Sequence, residues 1–285
     1  MQIESTDGVT LAVHDLGGNG PPLLWCHATG FCAAVWKPLV AHIPNRHSWA
    51  LDFRGHGGST PPADLDFSWY GMGRDVLAVV DELGLSGIPA VGHSKGAASL
   101  LLAEAARPGT FERIWAFEPV VFPAETAAGH QKSSTIAEGA RRRRNDFPNR
   151  ATARERFASR PPFSILDAKV LDAYVEHGFI DTPDGGVTLS LPGDHEARIY
   201  DNGRKHRAFD VLHRVRCPVV IARGGLDGDG PAQVAHLIVN ALPNGRLAAY
   251  DDLTHFGPLE QPARLAADIA AFLDEAGANQ ARHPR

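Results

Sequence analysis

Short apolar runs and longer stretches with a helical stripe alternate along most of this chain. Leu23–Cys26, Trp49–Phe53, Ile88–Val91, Ile114–Phe117, Pro218–Ala222 and Arg246–Tyr250 are each four to five residues long and bounded by Gly, Pro or polar residues, so they read as strands. Ala33–Ile43, Ser68–Leu83, Ala97–Ala106, Ala232–Leu242 and Pro262–Ala276 read as helices. In the second of these, Val76, Leu77, Val79, Val80 and Leu83 recur at helical spacing. Near the start, Ile3–Ser5 and Thr10–His14 flank Asp7-Gly8, a hairpin signal.

Strands that alternate with helices predict an α/β fold, a mostly parallel sheet covered on both faces. The rhythm breaks between Val120 and Phe209, where Pro/Gly breaks and charges replace it. A structureless loop of that length does not belong in a compact domain. The stretch 121–208 therefore reads as a mainly helical cap inserted between two halves of one core, 1–120 and 209–285. The tail Gly277–Arg285 reads as disordered.

Composition narrows the partners. The 285 residues are 44% hydrophobic and 21% charged, with a formal net charge of −5, which does not suit a general nucleic-acid binder. No run approaches the apolar length of a membrane span, and Met1-Gln2-Ile3-Glu4 lacks the basic head and apolar stretch of a secretory signal. Cys26, Cys32 and Cys217 are odd in number, and two of them sit beside apolar strands. They read as buried reduced thiols, which implies a cytoplasmic setting. No Cys/His spacing matches a metal site, and no Gly-rich loop carries the Lys-Ser/Thr of a phosphate cradle. The expectation is a protein without cofactor or metal that acts on a small molecule. Its oligomeric state leaves no signature.

The candidate chemistry begins at Gly92-His93-Ser94-Lys95-Gly96, between a predicted strand and a predicted helix. Gly-x-Ser-x-Gly in that context describes a sharp turn that lifts the Ser94 hydroxyl off the sheet edge and aims helix N-terminal amides at an oxyanion formed there. The residues two positions away must be small for the turn to close.

Five pieces in this order resemble the α/β-hydrolase superfamily over essentially the whole chain. They are His27-Ala28-Thr29-Gly30-Phe31, Asp52-Phe53-Arg54-Gly55-His56-Gly57-Gly58-Ser59, the Ser94 turn, Gly224-Gly225-Leu226-Asp227, and His255-Phe256-Gly257-Pro258-Leu259-Glu260-Gln261-Pro262. The resemblance implies an eight-stranded sheet and a Ser–acid–His triad in that chain order. Ser94 would be the nucleophile and His255, after the last strand, its base. Asp227, closing the strand Val219–Ala222, would be the acid. Glu118, ending the preceding strand, is the alternative, since some members carry their acid there. Its other reading is a buried carboxylate satisfied by backbone donors around Pro119.

The resemblance also implies an oxyanion hole built from the amides of Lys95 and Thr29. Ala28 stands where Gly is common, which leaves the second donor open. A neutral residue is more common at position 95. The Lys95 cation would meet an anionic substrate or lower a proton affinity nearby; the simpler reading packs its stem under the cap with its head in solvent. Arg54 and His56 read as structural residues of a Gly-rich turn, and His93 as packing. Phe31, Trp36 and Trp69 are candidates for an apolar pocket or for plain core.

Glu138–Arg160 carries eight Arg against three acids. It reads either as an attraction for anionic substrates or as a solvated face, and a run of four Arg cannot all face one pocket. Nothing in the sequence assigns roles to His177, His195 and Glu196. The function expected is hydrolysis of an ester or lactone of a small, largely apolar molecule. Carbon–carbon or amide hydrolysis by the same triad, and a ligand receptor or carrier with a slow triad, are the alternatives.

Overall fold

The computed structural model describes residues 1–124, 132–226 and 230–280. Eight strands form one sheet: β1 (Gln2–Glu4), β2 (Thr10–Asp15), β3 (Pro22–Cys26), β4 (His47–Leu51), β5 (Ile88–His93), β6 (Phe111–Phe117), β10 (Val219–Gly224) and β11 (Gly245–Tyr250). Their order is β1-β2-β4-β3-β5-β6-β10-β11. The β1–β2 and β2–β4 pairs are antiparallel and all others parallel. The fold is the mostly parallel α/β sheet that the alternation predicts. Its opening hairpin turns at Asp7 and Gly8, both at positive φ.

Each central strand feeds two cores, because successive side chains point to opposite faces. Leu24, Ala90, Ile114, Ala116 and Ile221 pack on one side with α1 (Trp69–Glu82) and α2 (Lys95–Ala106). Trp25, Val91, Trp115, Phe117 and Val220 pack on the other. The long helix that begins at Pro262 supplies Leu265, Ile269 and Phe272 to that second face. With both faces covered, near-continuous apolar strands are required, and burying each Val or Leu contributes about 1.5–3 kcal/mol.

Between β6 and β10 lie α3 (Lys132–Arg141), α4 (Arg150–Ala158), α5 (Ala168–His177) and α6 (Gly193–Asn202). They share this segment with a small antiparallel sheet, ordered β7 (Asp146–Phe147), β9 (Val187–Leu189), β8 (Phe179–Asp181). The strands were not legible because they are two or three residues long, below the length at which alternation is readable. Phe157, Phe163, Tyr174 and Phe179 of this segment join the second core.

Two further differences are local. The predicted helix at Ala33–Ile43 is a 3-10 turn, Ala33–Trp36, followed by one α-turn, Lys37–Val40. The final helix, α8 (Pro262–Gln280) once α7 (Pro231–Ala241) is counted, continues through Gly277–Gln280, and 281–285 lie outside the described residues.

Candidate active site

The turn between β5 and α2 is a strained point of the sheet edge. Ser94 sits there at φ 55°, ψ −114°, a conformation L-residues rarely adopt. Its N–H donates to Phe117 O at 2.9 Å, and its carbonyl accepts from Ala98 N at 3.0 Å. The flanking glycines are obligatory. A Cβ at Gly92 would stand 2.7 Å from the Ala97 backbone, and one at Gly96 would stand 2.2 Å from Cys26 O.

His255 lies in the loop after β11, held from two directions. Its carbonyl accepts a 2.7 Å hydrogen bond from His93 Nε2. Its Nδ1 lies 2.6 Å from Glu118 Oε2. An ionised carboxylate only accepts, so Nδ1 carries the proton and Nε2 is the basic nitrogen. His93 therefore ties the Ser94 turn to the His255 loop, a role beyond packing. Burial pushes its imidazole well below the usual value, with His255 adding to the effect.

Glu118 is itself fixed. It follows β6 at φ 42° and is 2% exposed. Its N–H donates to Ala222 O, and its Oε1 accepts from Gly224 N, both at 2.8 Å. The backbone donor comes from β10, not from around Pro119, and the second oxygen is on His255. Asp227, the acid favoured by the resemblance, lies outside the described residues.

The loop after β3 approaches the first turn of α2. His27 Nδ1 donates to Ala28 O at 2.7 Å, and its Nε2 accepts from Phe53 N at 3.1 Å. His56 Nδ1 donates to Arg54 O at 3.0 Å, and its Nε2 accepts from Gly30 N at 3.4 Å. Two buried neutral histidines thus anchor the Thr29 loop; burial first, then Lys95, holds both well below the usual imidazole value. The amides of Thr29 and Lys95 make no hydrogen bond among the described residues.

The Lys95 side chain departs from expectation. It is fully buried, not extended to solvent. Its Nζ lies 4.0 Å from the Phe53 ring centroid and 3.5 Å from His56 Nε2, and desolvation pushes its amine well below the usual range. It does not serve as a solvent-facing cation. Arg54 is structural: its guanidinium holds buried Asp75 at 2.7 and 2.8 Å and Asp7 at 2.8 Å.

Of the three aromatic candidates, one is near His255. Phe31 contacts Phe163 and Tyr174, each with centroids 5.5 Å away, and Phe256 at 6.1 Å. Phe256 is 5.3 Å from His255. Trp36 packs on Trp25 in the second core, and Trp69 stacks on His206 while its Nε1 donates to Ile199 O. Glu196, to which the sequence assigns no role, is 1% exposed and lies beside Arg143 and Tyr200. A buried acid four residues before a Tyr on a helix was the available signal.

Cys26, Cys32 and Cys217 are buried free thiols. Among the described residues, no group of three His, Cys, Asp or Glu could hold a metal, and no helix is long and apolar enough to cross a membrane.

The alpha/beta hydrolase fold model matches residues 21–262. This chain belongs to the alpha/beta hydrolase family. It is 27% identical to Lipase LipV of Mycobacterium tuberculosis over 189 residues, 65% of this chain and 68% of the lipase. It is 30% identical to Karrikin insensitive 2 receptor CA of Petunia hybrida over 103 residues, 35% of this chain and 38% of the receptor. The match to an epoxide hydrolase of Caballeronia sordidicola spans 34% of that enzyme. Among solved structures, E-2-(acetamidomethylene)succinate hydrolase superposes at TM-score 0.81 with 22% identity, covering 96% of this chain and 99% of that one. The likeness in structure is to the fold.

Proposed function

We propose that this hydrolase cleaves a carboxylic ester or lactone of a small molecule through an acyl-enzyme on Ser94. Support comes chiefly from the 2.6 Å contact of Glu118 with His255, beside a serine in a strained turn. Ser94 Oγ attacks the carbonyl carbon while His255 Nε2 takes its proton. The negative charge on the carbonyl oxygen meets the amides of Lys95 and Thr29. Glu118 holds the Nδ1–H tautomer and stabilises the imidazolium, the part that the resemblance assigns to Asp227. Collapse expels the alkoxide, which His255 protonates. Water then loses a proton to His255, attacks the acyl carbon, and releases Ser94 with its proton restored.

The segment between β6 and β10 acts as a cap, with Phe163 and Tyr174 packed on Phe31, which touches Phe256 next to His255. The three buried thiols suit a reducing compartment. A slow triad serving a receptor is the second reading, favoured by the similarity to a petunia receptor. Turnover of p-nitrophenyl butyrate by the wild type and its loss in Ser94→Ala decides between them. Single-turnover labelling without steady-state turnover would favour the receptor. Amide or carbon–carbon cleavage would appear as turnover of those substrates above any ester.

A further inference from the structure

The four consecutive arginines at 141–144 divide their work. Arg141 pairs with Asp201, Arg142 with Glu138 at 3.1 Å, and Arg144 donates through Nε to Asp146 O at 2.7 Å. Arg143 alone turns inward. Its Nη1 lies 2.8 Å from Oε2 of buried Glu196, and 24% of its side chain is exposed. The contact is ionic without hydrogen-bond alignment, so the guanidinium is not forked onto that carboxylate. Its Nε and Nη2 hydrogen-bond to nothing among the described residues. The second Glu196 oxygen, Oε1, accepts from the Tyr200 hydroxyl at 3.2 Å.

This pair stands over the loop that carries Thr29. A Cβ at Gly30 would lie 2.7 Å from Glu196 Oε1 and 3.7 Å from Arg143 Nη1. Gly30, Phe31, Arg143, Tyr174, Ser190 and Glu196 contribute to the wall of a cavity of about 10 Å³, the space of a single water molecule. Phe31 also touches the Phe256 ring at 6.1 Å, and the Phe256 ring lies 5.3 Å from that of His255.

An arginine that only neutralised Glu196 would need one of its nitrogens, whereas Arg143 also lines a polar cavity and keeps two nitrogens without a protein acceptor among the described residues. A planar fork already oriented by a buried acid does suit a carboxylate, because the ordering cost is met before the ligand arrives. Glu196 repels an anion, but its charge is offset by the same guanidinium, and the remaining donors are available on the other edge.

We propose that Arg143 binds a carboxylate of the substrate, so that the substrate class is a half-ester or lactone of a dicarboxylic acid, with its reacting carbonyl at Ser94. This rests on the serine-hydrolase reading and adds an anionic end to its substrate.

The test compares monomethyl succinate with methyl 4-methylpentanoate, in which an isopropyl group replaces the carboxylate. The wild type is expected to favour the half-ester in kcat/KM by about 10- to 100-fold, the scale of a charge-assisted hydrogen bond. In Arg143→Met combined with Glu196→Gln, which leaves no lone buried charge, that ratio should collapse toward one. A wild type that prefers the neutral ester, or a double variant that keeps the preference, overturns the proposal. Should the variant not fold, calorimetric binding to the wild type of succinate and of succinamide, which carries no carboxylate, replaces it. Succinate should bind at least tenfold tighter, and equal binding overturns the proposal. Because binding needs no turnover, an enzyme inert to both esters would sink the hydrolase reading while this comparison still judged Arg143.

Discussion

Glu118 and His255 lie 137 residues apart and meet at 2.6 Å through Oε2 and Nδ1. The other Glu118 oxygen is pinned by Gly224 N–H, so the carboxylate cannot rotate away without losing a buried hydrogen bond. An imidazole held this way presents one tautomer to whatever lies on its Nε2 side.

Glu118→Gln should therefore lower kcat by roughly 10³ to 10⁴, because a neutral amide neither selects that tautomer nor stabilises the imidazolium. The amide oxygen still serves Gly224 N–H, so the melting temperature should change little. Asp227→Asn, assayed beside it, should cost much less. A larger loss in Asp227→Asn would return the acid's role to that residue.

Ser94→Ala should fold, since Ala meets the same backbone strain as Ser and the neighbouring glycines are untouched. Ester turnover should fall by about 10³-fold or more. A fluorophosphonate probe should label the wild type once, and intact-mass analysis should place that label on Ser94. Label retained in the Ala variant would rule the assignment out.

Lys95→Met should raise stability. The amine is fully buried and held well below its usual 10.5 by desolvation, whereas the unfolded chain binds that proton freely. Between the lowered folded value and 10.5 the unfolded state holds more protons, so stability lost to Lys95 is recovered as pH rises. The gain from Met should be largest near neutral pH, on the order of 5 °C in melting temperature, and should shrink toward pH 10. A lower melting temperature, or a gain indifferent to pH, would show that the amine is stabilising in place.

Acid should weaken the fold early. Burial holds His206 down at about 4 and His27, His56 and His93 well below 6.5. These groups stay neutral in the folded state while the unfolded chain takes up protons below pH 6.5. Their stability contribution is complete above 6.5 and is lost as pH falls, over the window from 6.5 to 4 for His206. Urea midpoints measured from pH 8 to pH 5 should be level at first and then decline. A level profile down to pH 5 would contradict the buried-neutral assignment.

Gly96→Ala should destabilise by roughly 3 kcal/mol or more, since the new methyl meets backbone 2.2 Å away. Gly139→Ala is the contrast: it lies in α3 with open space around its Cβ position, and should be neutral or gain about 0.5–1 kcal/mol. Equal effects in a denaturation series would mean that the Ser94 turn can relax.

Local periodicity determined the element order, the mostly parallel sheet, the hairpin at Asp7-Gly8 and the placing of Ser94 and His255 at strand ends, because each of these depends on residues close along the chain. The same locality explains the failures. Two- and three-residue strands carry no readable alternation, so β7, β8 and β9 were invisible. Only packing decided that Lys95 turns inward to Phe53, that Trp36 packs on Trp25 and Trp69 on His206, and that one arginine of four points at Glu196. Glu118 reaches His255 because β6, β10 and the loop after β11 become neighbours in the sheet. That juxtaposition depends on which strands pair, and strand pairing across a hundred residues leaves no mark in the order of the residues themselves.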